Sequence, residues 1–259
     1  MSTKAPAARR SGQGGAPGHL RAVLAIAVRE LDSLFRLPVG WVAIALFCLL
    51  TGAWFGFRTI VPGQVATMRY FFGPAVWLLL PVAPAISMRL LSDEYRSGTI
   101  ESLGATPVSD AAVVWGKYLG GVLFLVLLLL PTLAFPITLH FVTQPGPDLG
   151  PIAAGYLCLM LVGMLYLAVG TLASSLTSSQ TLAFLATLII LVATMLFTVV
   201  LRGRIPPEYA PIARAVAVPD RVGDFAKGVI DTGHVVFFLA SSVLFVTAAS
   251  VATEARRWR

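Results

Sequence analysis

Residues 149–201 contain no Asp, Glu, Lys or Arg, a run of 53 residues between Asp148 and Arg202. A second charge-free run, of 30 residues, separates Lys117 from Asp148. A helix needs about 20 apolar residues to cross a bilayer, so runs of this length demand several membrane-spanning helices. Composition agrees. Of the 259 residues, 57% are hydrophobic and 12% charged, whereas soluble domains carry about a quarter charged residues.

Six spans fit the apolar pattern, at about 39–57, 70–88, 119–141, 152–172, 181–201 and 234–252. The fourth and fifth are divided by the polar hinge Ser174–Gln180, which two helices joined by a tight turn explain better than one overlong helix. Pro81 and Pro84 in the second span and Pro131 and Pro136 in the third imply kinks. Such breaks survive in membranes when neighbouring groups satisfy the freed carbonyls. The expected fold is an all-α polytopic membrane protein whose six-span domain covers 38–259.

Ahead of the first span, residues 1–18 are basic and rich in Ala, Gly, Pro and Arg, as in a disordered tail. Residues 19–37 read as an amphipathic helix. Leu20, Val23, Leu24, Ala27, Leu31, Leu34 and Phe35 recur at helical spacing, with Arg21, Arg29, Asp32, Ser33 and Arg36 on the other side. Such a helix suits the membrane surface, and Pro38 then redirects the chain into the first span. A cytoplasmic extension of the first span is the alternative.

The net charge of +7 does not point to nucleic acid, because the basic residues sit in the tail, the short loops and the C-terminus. There they meet anionic headgroups. Placing the N-terminus inside puts 12 Lys and Arg in cytoplasmic segments and 7 outside. The positive-inside rule then sets both termini in the cytoplasm, in a plasma (inner) membrane.

Several chemistries lack their residues. No G-x-x-x-x-G-K-[ST] occurs, and Gly116-Lys117 is followed by Tyr118, so the chain binds no ATP in the P-loop manner. His19, His140 and His234 are scattered, and no zinc spacing, serine-nucleophile elbow or pair of carboxylates within a span is present. Cys48 and Cys158 lie inside spans and read as packing residues. Gly52-x-x-x-Gly56 and Gly116-x-x-x-Gly120 permit close helix contact. With so little charge in the spans, energy for transport has to come from a partner.

The charged insert 92–117 stands out between two spans. It contains Asp93-Glu94-Tyr95-Arg96-Ser97-Gly98-Thr99-Ile100-Glu101-Ser102-Leu103, then Thr106-Pro107-Val108-Ser109 and Gly116-Lys117-Tyr118. This stretch resembles the E-x-x-x-G-T-x-E-x-L…T-P-x-S pattern after the second span of ABC-2 type transporter permeases. Phe225–Asp231, with Val235–Leu239 and the basic end Glu254–Trp258, is similar to the gliding-motility and nitrous-oxide-reductase-maturation branch of that family. Ser102-Leu103-Gly104-Ala105 departs from it where a bulkier pair of leucines is usual.

The resemblance implies a permease that pairs with a second permease copy or paralogue and with cytoplasmic ABC ATPases. Those ATPases bind the ATP and Mg, so no cofactor is expected in this chain. It also implies that 92–117 forms a coupling segment seated in an ATPase groove. There Asp93, Glu94, Arg96 and Glu101 would supply charge, and Ile100 and Leu103 an apolar edge. Gly98 and Thr99 would end one helix and cap the next, Pro107 would end that one, and Ser109 would cap the third span. In the outer loop 202–233 the resemblance marks Phe225, Gly228 and Asp231 and suggests a short helical re-entry; the run Tyr209–Val218 is too short to cross. From the residues alone a plain surface loop stands equally open there, as does a merely solvated loop at 92–117. The alternative function is a self-sufficient six-span secondary transporter. A membrane enzyme is a third reading, and it has no catalytic constellation.

Overall fold

The computed structural model describes residues 19–36, 38–59, 67–97, 109–143, 146–201 and 217–257, and among them every regular element is helical. In chain order these are α1 (His19–Arg36), α2 (Pro38–Arg58), α3 (Arg69–Ser87) and α4 (Ser92–Ser97). Next comes α5 (Asp110–Leu129), a 3-10 turn at Leu130–Leu133, and α6 (Ala134–Val142). Then follow α7 (Leu149–Leu176), α8 (Gln180–Leu201), α9 (Val218–Phe225) and α10 (Thr232–Arg257).

Six helical stretches are long and apolar enough to cross a membrane: Pro38–Arg58, Arg69–Arg96, Asp110–Val142, Leu149–Leu176, Gln180–Thr198 and Thr232–Arg256. They overlap the six expected spans, but the second runs on to Arg96 and the third begins at Asp110. Both ends of the insert read as a coupling segment at 92–117 are thus helices continuous with or beside spans. The protein is a multi-pass, all-α membrane protein. The central one is α7, which packs on α3, α5, α8, α9 and α10. Of its span 72% is buried, against 22% for those of α8 and α10. Gly155 and Gly163 make this position possible, since a Cβ there would run into Phe72 of α3 and Leu125 of α5.

Several Thr and Ser hydroxyls inside the spans are returned to their own helices. Thr51, Thr171, Thr187 and Ser242 donate to the carbonyls of Phe47, Leu167, Ala183 and Phe238, four residues earlier in each case. The proline breaks are handled in the same spirit. Pro136 has no N–H for the Thr132 carbonyl, and the Tyr156 hydroxyl of α7 donates to that carbonyl at 2.8 Å instead. The third span is accordingly broken at the 3-10 turn around Pro131.

Helix α1 shows three faces rather than two. Val23, Ile26, Ala27, Glu30 and Leu34 turn toward the bundle, where Ala27 and Leu34 are buried. Leu20, Leu24 and Val28 form an exposed apolar stripe beside it, and Arg21, Arg29, Asp32 and Arg36 are exposed on the third side. The bundle-facing side lies on α5. A Cβ on Gly116 would stand 2.7 Å from Ile26 Cβ, and one on Gly120 would stand 2.7 Å from Glu30 Cβ. The second glycine pair read in the sequence is thus the seat of α1. Gly52 and Gly56 make no comparably close helix contact. Trp41 Nε1 closes the α1–α2 corner by donating to the Phe35 carbonyl at 3.0 Å, one of the terminal acceptors of α1.

At the far end of the bundle α9 stops in a turn centred on Gly228. Gly228 N donates to Phe225 O at 2.9 Å and Val229 N to Asp224 O at 3.1 Å, with Gly228 at φ 86°. This is the pairing of a glycine-terminated helix end, in which the left-handed residue needs no Cβ. Asp231 then caps α10, its Oδ1 accepting from Gly233 N at 2.7 Å. Phe225 is fully buried. The three outer-loop residues marked in the sequence therefore end one helix, start the next and anchor the corner between them. Most of the run 209–218 lies outside the described residues.

Candidate functional site

Helix α4 has only six residues, too few to hold itself together, since nucleating one turn fixes several residues for a single hydrogen bond. Its stability comes from what grips it. Four consecutive residues, Ser92 to Tyr95, each engage a different part of the bundle.

Ser92 is reached from α7. The Ser174 hydroxyl accepts from Leu91 N at 3.1 Å and Ser92 N at 3.0 Å, and donates to Met88 O at 3.2 Å. The first N–H groups of a helix have no intrahelical acceptor, so Ser174 acts as an N-cap supplied by another helix. Ser174 is itself fully buried.

Asp93 is reached from α8. Gln180 Nε2 donates to its Oδ1, and Arg89 Nε stands 3.4 Å from its Oδ2. The hinge Ser174–Gln180 thus does more than turn the chain: both of its outermost residues hold α4.

Glu94 is reached from α5. Lys117 Nζ lies 3.1 Å from Glu94 Oε1 and 3.0 Å from Glu30 Oε2 of α1. All three side chains are largely buried, with 5% of Lys117, 12% of Glu30 and 13% of Glu94 exposed. Side chains in a helix lean toward its N-terminus, so Lys117, two turns into α5, extends back to the α4 end. An ammonium in such a site is tolerable only when paired, and here one cation bridges two carboxylates from different helices.

Tyr95 is reached from α10. The Arg256 guanidinium stands 4.8 Å from the centre of its ring and donates to the Leu176 carbonyl at the C-terminus of α7. Arg96, next in sequence, is exposed. Ser109 caps α5 as the sequence suggests, accepting from Ala112 N at 3.3 Å. Gly98, Thr99, Ile100, Glu101, Leu103 and Pro107 lie outside the described residues.

A family model described as ABC-2 family transporter protein matches residues 56–211, well over half of the chain. The chain belongs to that family. Comparison with curated proteins gave no match. The matched stretch of this ABC-2 permease holds α3, α4, α5, α7 and α8, and with them Ser92–Tyr95, Lys117, Ser174 and Gln180. Glu30 and Arg256, which complete the junction, lie outside it. Membership makes the chain the membrane component of an ABC transporter, a class that works with an ABC ATPase subunit.

The structure brings Asp93, Glu94 and Arg96 to one end of the bundle but gives them different neighbours. Glu94 is turned inward onto Lys117, Asp93 is half-exposed beside Gln180, and Arg96 faces out. Glu30, Ser174, Gln180 and Arg256 were not apparent as site residues in the sequence. Glu30 carried one signal: it interrupts the apolar side of α1 between Ala27 and Leu34.

Proposed function

We propose that this permease is driven by a separate cytoplasmic ATPase that seats on α4 and the residues after it, with both chain termini on the same, cytoplasmic side. The observation that carries this reading is the linkage of Ser92–Tyr95 to α7, α8, α5 and α10, with α1 joined through Lys117. A load applied to so short a helix passes directly into helices from both halves of the chain. An element that only reverses the chain has no use for four separate anchors.

Asp93 and Glu94 then belong to the transmission of force inside the permease, and the docking surface is formed by Arg96 with Gly98, Thr99, Ile100, Glu101, Leu103 and Pro107. ATP-driven approach of two ATPases draws two such junctions together, so a second permease, identical or paralogous, completes the assembly. Export is the direction expected of this arrangement. Phe225, Gly228 and Asp231 support placement in the gliding-motility and nitrous-oxide-reductase-maturation branch.

The test is extraction of the tagged chain in mild detergent, followed by identification of what accompanies it and a transport assay in vesicles. Co-purification of an ABC ATPase and transport dependent on ATP support the reading. Transport by the chain alone, driven by an ion gradient and indifferent to ATP, would replace it with a secondary transporter.

A further inference from the structure

Helix α1 carries a surface that the bundle does not use. At about 100° per residue, Leu20, Leu24 and Val28 share one sector of the helix, and they are 72%, 50% and 61% exposed. The same sector ends at Phe35, whose ring centre lies 5.2 Å from that of Trp41 at the start of α2 and 5.5 Å from that of Phe124 in α5. Because α1 is also seated on the third span at Gly116 and Gly120, the stripe lies at the level where the spans leave the bilayer. Beside it Arg21 and Arg29 are exposed, and neither pairs with a carboxylate among the described residues. Arg36 is paired with Asp32. Apolar side chains next to unpaired guanidinium groups suit one kind of partner, a bilayer surface with anionic headgroups.

The rotation of α1 on that surface is decided by Glu30. The sector that faces α5 holds Val23, Ala27 and Leu34, and it is as apolar as the stripe except for this one carboxylate. Turning it to the leaflet would set Glu30 against anionic headgroups and strip Lys117, 5% exposed, of one of its two carboxylates. With α1 seated on α5, Glu30 meets Lys117 at 3.0 Å while the stripe, Arg21 and Arg29 stay outside. An anionic leaflet therefore binds the seated rotation better than the other, and such a difference in affinity is what shifts a population. The same Lys117 holds Glu94 at 3.1 Å, so whatever seats α1 also bears on α4.

We propose that α1 is a sensor of membrane charge. Its stripe and its two unpaired arginines bind an anionic leaflet, and Glu30 passes the seated state through Lys117 to α4. The lipid surface follows from the place of α1 in the fold; that the signal then reaches an ATPase rests on the function proposed for α4 above.

The test is amide hydrogen exchange of the full chain reconstituted into phosphatidylcholine vesicles with and without phosphatidylglycerol. Phosphatidylglycerol should slow exchange several-fold through His19–Arg36 and also in Ser92–Ser97. Replacing both exposed arginines, Arg21→Gln with Arg29→Gln, should remove the difference between the vesicles and leave exchange in pure phosphatidylcholine unchanged. Glu30→Gln should keep the response of α1 and abolish that of α4. Equal exchange of His19–Arg36 in the two vesicles, or a difference that survives the double arginine variant, would overturn the lipid surface. A response of α4 that persists in Glu30→Gln would overturn the transmission. Neither result depends on whether an ABC ATPase accompanies the purified chain, so failure here is distinguishable from failure of the ATPase reading.

Discussion

Glu30 and Lys117 stand 87 positions apart in the chain, and their side chains meet at 3.0 Å in a largely buried site. The contact exists because Gly116 and Gly120 let α1 lie directly on α5, with Glu30 Cβ above Gly120. The same Lys117 holds Glu94 at 3.1 Å. An N-terminal helix, a span and a short junction helix are therefore joined through one ammonium group.

Replacing that group should be felt across the junction. Lys117→Met removes the cation that Glu30 and Glu94 share, and breaking a buried pair in this way costs about 3–5 kcal/mol. Adding Glu30→Gln and Glu94→Gln to Lys117→Met should recover part of the loss, because a well-packed neutral cluster is often as stable as an ionic one. Thermal unfolding in detergent of the three proteins checks the order wild type, triple variant, single variant.

The seat of α1 makes a separate expectation. A Cβ on Gly116 meets Ile26 at 2.7 Å and the Val23 carbonyl at 3.0 Å, so Gly116→Ala forces α1 outward. Overpacking of this kind costs about 1–3 kcal/mol. Amide hydrogen exchange should rise through His19–Arg36 and stay unchanged in α7.

Tyr156 offers a test of how the broken third span is kept intact. Tyr156→Phe removes the side-chain donor to the Thr132 carbonyl and leaves it only the Ala134 N–H, which it shares with Pro131. A lost hydrogen bond of this kind costs about 0.5–1.5 kcal/mol. Pro136→Ala restores an N–H four residues after Thr132. The double variant should therefore be more stable than Tyr156→Phe alone, as measured by thermal melting.

At the α9–α10 corner, Gly228→Ala places a Cβ on a residue at φ 86°, with Pro151 Cγ only 3.1 Å away. A left-handed residue with a Cβ costs about 1–2 kcal/mol, and Gly228→Asn should cost less. Asp231→Ala removes the cap on α10, worth about 0.5–2 kcal/mol, while Asp231→Ser should retain most of it. Unfolding midpoints of the four variants check both orders.

The spans, α1 and the Ser109 cap were legible because each rests on local pattern: apolar length, helical periodicity, or a capping residue three positions before the backbone N–H it accepts from. Periodicity reports that a face is apolar and not which helix will cover it. Ser174 and Gln180 therefore read as a turn, although both serve α4 from more than 80 positions away. Glu94 read as a charge for a partner because sequence cannot show that Lys117, inside an apolar span, leans back to meet it. Glu30 was hidden for the same reason, and Tyr156 gave no sign that it would serve a carbonyl freed by Pro136.

The central claim is that α4 receives the ATPase and passes its motion to the bundle through Ser92–Tyr95. Arg96 is the exposed residue next to those anchors, so a photo-crosslinking amino acid placed there reads the contact directly. In native membranes containing the tagged chain, illumination should yield an adduct identified by mass spectrometry as an ABC ATPase, while the same probe at Lys227, beside α9, yields none. An adduct with an ATPase at Lys227 and none at Arg96 would contradict the account.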